Sequence, residues 1–69
     1  MLTVTDIERI MSAGCHVRIA KMSRGEMRQL AGAAKTWQVR LEIVGTVPTT
    51  DILDVVAVGR PYVTFDISD

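Results

Sequence analysis

Along the chain, apolar and polar residues alternate in three short stretches, residues 16–20, 38–43 and 62–67. Val17 and Ile19 share one parity, opposed by His16, Arg18 and Ala20. Val39, Leu41 and Ile43 oppose Gln38, Arg40 and Glu42, and Val63, Phe65 and Ile67 oppose Tyr62, Thr64 and Asp66. Successive strand side chains leave opposite faces of a sheet. The pattern therefore predicts three strands with one apolar and one polar face.

Before and between these stretches the spacing becomes helical. Val4, Ile7, Ile10, Met11 and Gly14 form a stripe that predicts a helix over residues 5–13. Thr5 and Glu8 have capping-box spacing at its start, and Gly14 sits where a helix stops at positive φ. Ser23 and Glu26 repeat the box at the head of a second helix, whose stripe is Met27, Leu30, Ala31 and Ala34. Gly25 and Gly32 weaken it by up to ~1 kcal/mol each relative to alanine. A third helix, residues 50–58, follows Pro48 and stops at Gly59. Its core stripe is Ile52, Val55 and Val56, and Leu53, Ala57 and Val58 are apolar away from that stripe. A helix apolar nearly all round is covered on more than one side.

A helix joins each strand to the next, as parallel neighbours require. Right-handed crossovers onto a single apolar sheet face place all three helices on that face. The predicted fold class is α/β: three α-β units in one domain over residues 1–69, forming a small, mainly parallel three-stranded sheet in the order 1-2-3. The layer pair is open and solenoid-like, with one antiparallel strand as the alternative. A doubly wound sheet would need apolar residues on both faces, and these strands supply them on one. An internal repeat supports the same picture. Asp6-Ile7-x-x-Ile10-Met11-x-x-Gly14 is matched by Asp51-Ile52-x-x-Val55-Val56-x-x-Gly59. Val17 to Val39 spans 22 residues and Val39 to Val63 spans 24, the length of one helix plus one strand.

Composition narrows the function classes. Sixty-nine residues sit near the lower size limit for independent folding, and a single cysteine offers no internal disulfide. Eight basic residues balance eight acidic ones, which removes the long-range pull toward nucleic acid or anionic lipid. The apolar content of 48% is too high for a disordered chain, yet no apolar run reaches the ~20 residues of a membrane span. The first ten residues lack the basic start and apolar stretch of a signal peptide, so a reducing cytoplasm is the expected compartment.

Candidate chemistry is sparse. Strand parity assigns Cys15 to the apolar face beside Val17 and turns His16 the other way, so the two cannot converge on one atom. His16 has no second histidine for a metal, and no nucleophile or carboxylate is fixed beside it. Asp6, Glu8, Asp51 and Asp54 lie near helix starts, where carboxylates cap amides and answer the helix dipole. The scattered glycines form no phosphate loop. Trp37, by the same parity, is expected on the apolar face with Val39. No catalytic residue, metal or cofactor is expected.

What remains is surface. The polar sheet face is expected to carry three rows: His16, Gln38 and Tyr62; Arg18, Arg40 and Thr64; Ala20, Glu42 and Asp66. Neighbouring Arg18 and Arg40 would repel unless Glu42, Asp66 or a ligand answers them. His16, Arg18, Gln38, Arg40, Tyr62 and Thr64 are thus the candidate binding set for a protein partner, since arginine and tyrosine are favoured at interface hot spots. Leu53, Ala57 and Val58 are the candidate contact set for a homo-oligomer, through the third helix, the third strand or both. The expected function is a small non-enzymatic interaction or assembly module. A nucleic-acid accessory protein using the polar face is the alternative, against which the zero charge balance argues.

Overall fold

The computed structural model describes residues 2–67. Helix and strand alternate through them: α1 (Val4–Ser12), β1 (Val17–Ala20), α2 (Arg24–Trp37), β2 (Leu41–Val44), α3 (Thr49–Gly59) and β3 (Val63–Asp66). The strands form one open parallel sheet in the order β1-β2-β3. Val17, Leu41 and Val63 lie opposite one another, so the repeat is 24 and then 22 residues long.

The alternation of the strand residues decides which side is covered. Leu41 and Ile43 are fully buried, and Val17, Ile19, Val63 and Phe65 pack half-buried against the same core. Ile7 and Met11 of α1, Met27, Leu30, Ala31, Ala33 and Ala34 of α2 and Val55 of α3, with Val39 and Val47 from the loops, complete it. The outward residues Arg18, Ala20 and Thr64 are exposed. Helices therefore form one layer and the sheet the other, with the second sheet face open.

Element boundaries depart from the sequence reading in instructive ways. The first helix begins at Val4, and its capping box is Thr3 with Asp6: the Asp6 N–H donates to Thr3 Oγ1 and the Thr3 N–H to Asp6 Oδ2, both at 3.1 Å. Thr3–Asp6 has the same spacing as Thr5–Glu8, and starting there brings Val4 against the core. Glu8 instead accepts a hydrogen bond from Gln29 of α2 at 3.1 Å. At α2 the cap lies where expected, with Ser23 Oγ accepting from the Glu26 N–H.

The largest correction concerns residues 37 and 38. Trp37 is the last residue of α2 and is 49% exposed, not seated on the apolar sheet face. Gln38 stops the helix in the left-handed conformation, φ 55°, with its N–H on the Ala34 carbonyl. Val39 is buried all the same, but as a loop residue, and β2 starts only at Leu41. Cys15 is exposed rather than buried, because β1 begins at Val17 and strand parity does not extend back to Cys15, which directly follows the turn at Gly14, φ 92°. At the other end Ile67 lies beyond β3 and is exposed.

Gly59 closes α3 for a reason of packing. A Cβ there would come within 2.6 Å of Val63 Cγ2, 2.7 Å of Ala31 Cβ and 2.8 Å of the Ala31 carbonyl oxygen. Only hydrogen lets α2, α3 and β3 meet at that point.

Candidate functional site

Among the described residues, the sequence-predicted candidates fall on two surfaces: the outer face of the sheet and the side of α3 turned away from the core.

On the sheet face, the register differs by two residues from the one the alternation suggested. Arg18 lies opposite Glu42, and Glu42 opposite Thr64; Ala20, Val44 and Asp66 form the next row. Arg18 and Arg40 are therefore not neighbours in a row, because β2 slides along its partners to seat Leu41 rather than Val39 beside Val17. The charge consequence is direct. Arg18 Nε lies 3.7 Å from Glu42 Oε1, and its Nη2 lies 3.4 Å from Asp66 Oδ2. One guanidinium thus spans from β1 across β2 to β3. The pairs are solvent-exposed, so each is worth only ~0–1 kcal/mol.

The remaining predicted residues sit at the margins of this face. His16 precedes β1, and its Nδ1 accepts the backbone N–H of Arg40 at 2.8 Å, a role only an unprotonated ring nitrogen can fill. The Val17 N–H in turn donates to the Arg40 carbonyl at 3.0 Å. His16 and Arg40 are thereby brought together at the N-terminal end of the sheet, a pairing the expected rows separated. Gln38 is off the sheet altogether, in the turn after α2. Tyr62 precedes β3 and packs half-buried against the core, so its ring is not a free aromatic platform. Thr64 stays on the outer face, exposed beside Glu42. Val44 was missed by ending the strand at Ile43; the apolar pair Ile43-Val44 was the signal that the outer face carries an aliphatic side chain beside Ala20.

On α3, Val55 and Gly59 are buried, and Ile52 and Val58 pack half-buried on the core. Val58 lies against Gly32 of α2, 3.7 Å from where a Cβ would stand there. Arg24 of α2 reaches Asp54 at 3.5 Å. Of the three residues singled out as an interface, Val58 thus faces α2, whereas Leu53 is 64% exposed and Ala57 is exposed beside it. Ile10 on α1, counted with the core stripe, is instead 38% exposed, because a stripe through Ile7 and Met11 leaves it to one side.

No helix among the described residues is long and apolar enough to cross a membrane. Compared with protein-family models, curated proteins and solved structures, the chain finds no significant match.

Proposed function

We propose that the protein is a non-enzymatic interaction and assembly module of the cytoplasm that works as a homo-oligomer. The observation that carries this reading is the exposure of Leu53 on a helix that already buries Val55 and Gly59 on its other side. A leucine left largely in water beside exposed Ala57 gains free energy only when a partner covers it, at roughly 25 cal/mol per Å² of apolar surface removed from water. The open sheet face supplies a second, polar surface for a protein partner, with Arg40, His16 and Thr64 as its accessible groups. Binding of a nucleic-acid strand is the less supported use of that face, since Arg18 is answered by Glu42 and Asp66 and Tyr62 leans inward.

Sedimentation velocity over a micromolar dilution series tests the reading. Wild type is expected to sediment above the monomer mass, and Leu53→Lys to return it to monomer with unchanged circular dichroism. A folded wild-type monomer at every concentration overturns the proposal.

A further inference from the structure

We infer that copies of this chain join head to tail, the β3 and α3 end of one onto the β1 and α1 end of the next, continuing both layers without a break. This deepens the self-association proposed above and rests on it; the new content is that the two contacting surfaces are different ends of the molecule. Three features argue for it.

The first is the backbone. The Val17 and Lys21 N–H groups donate to the Arg40 and Val44 carbonyls. In a parallel ladder alternate residues face alternate neighbours, so Arg18 and Ala20 turn their N–H and C=O groups to the free side of β1. Across the sheet the Leu41 and Gly45 N–H groups donate to the Tyr62 and Asp66 carbonyls, which leaves the backbone N–H and C=O groups of Val63 and Phe65 turned to the free edge of β3. Val63 can therefore meet Val17 of the next copy in the register that already relates Val17 to Leu41 and Leu41 to Val63. Nothing has to slip.

The second is the helical layer. Successive residues turn about 100° around a helix axis. On α1 the flank carrying Glu8 faces α2, through Gln29, and the opposite flank carries Asp6, Ile10 and Ala13. On α3 the flank carrying Asp54 and Val58 faces α2, and the opposite flank carries Ile52 and Val56 with Leu53 at its margin. Both outer flanks thus present aliphatic side chains, 38% exposed at Ile10 and 64% at Leu53. Stacked arrays normally end in a wholly polar flank, whereas each of these flanks mixes aliphatic side chains with its polar ones.

The third is charge. The β1 edge carries Arg18, and the β3 edge carries Thr64 and Asp66. In the continued register Arg18 of the next copy lies opposite Thr64 with Asp66 one pair further on, the same kind of neighbourhood that Arg18 finds within its own sheet. Two β3 ends brought together would offer Asp66 no cation from the strand opposite, because Val63–Asp66 contains none.

Two singly blocked variants, alone and mixed, provide the test. Ile10→Arg blocks the α1 end and Leu53→Arg the α3 end, both at exposed positions. Ala20→Pro is a second block of the first end, since it removes an outward N–H and leaves the inner ladder intact. Wild type is expected to grow beyond dimer with concentration in sedimentation velocity, and each variant to be monomeric. An equimolar mixture of the two kinds should form a species of twice the monomer mass, because each retains the end the other lacks. A wild-type dimer that saturates at two chains, or a mixture that stays monomeric while wild type assembles, overturns the head-to-tail arrangement and leaves self-association standing. A wild-type monomer overturns both.

Discussion

Glycine shows how much a single position can hide. In the sequence Gly32 reads as a weak point in a helix and Gly59 as a stop, and neither reading tells what surrounds it. Their surroundings are opposite. A methyl group at Gly32 would rest in ordinary contact with Val58, whereas at Gly59 it would collide with Ala31 and Val63. Gly32→Ala is expected to raise stability by about 0.5–1 kcal/mol through helix propensity. Gly59→Ala is expected to lower it by about 1–3 kcal/mol through overpacking. Urea denaturation of the two variants checks both signs. The Cys15 thiol makes a sharper contrast with its sequence reading. Strand parity turns it inward only when counted back through two residues that the strand does not contain. Exposed as it is, it should react with a thiol reagent in the native protein, one group per chain, without prior unfolding. A thiol that reacts only in denaturant would contradict the loop geometry around Gly14.

At the scale of elements, the end of α2 and the start of β2 were the least legible part of the chain. Thr36 and Trp37 are weak helix formers, and Gln38 through Ile43 alternates like a strand. The helix nevertheless runs on to Trp37, and a glutamine at φ 55° ends it where glycine is usual. The alternation survived this because Val39 is buried from the loop, so the parity was right while the register was off by two. Gln38→Gly is expected to stabilise the protein by up to about 1 kcal/mol, read as a higher urea midpoint with unchanged slope, since the left-handed conformation is strained for any residue with a Cβ. A loss of stability would mean that the Gln38 side chain contributes more than its backbone costs. By contrast, the Ser23 cap and the Gly14 turn were legible because local hydrogen bonding and backbone sterics alone decide them.

For the molecule as a whole, the decisive signal was that one parity of all three strands is apolar. Together with the helix between each pair of strands, it points to helices on one side, a mainly parallel sheet in the order β1-β2-β3 and an open outer face, and the sheet is parallel throughout. It could not foretell which outer residues would be neighbours, because parity is unchanged by a slip of two. Parity alone sets Arg18 beside Arg40, whereas its partners are Glu42 and Asp66. Nor could it show that Ile10 and Leu53 lie on the outer flanks of the helical layer, which depends on how α1 and α3 are turned against α2.

The strand order also governs how the chain comes together. Each strand pairs only with its neighbours in sequence, so every long-range closure spans a single unit and none waits for a later segment to be inserted between two others. Modest sequence separation of this kind favours rapid folding. The central strand alone has a partner on each side, and opening from either terminus leaves it for last. In native-state hydrogen exchange, the amides of Leu41 and Ile43 should therefore be the slowest in the molecule, with protection falling away toward α1 on one side and β3 on the other.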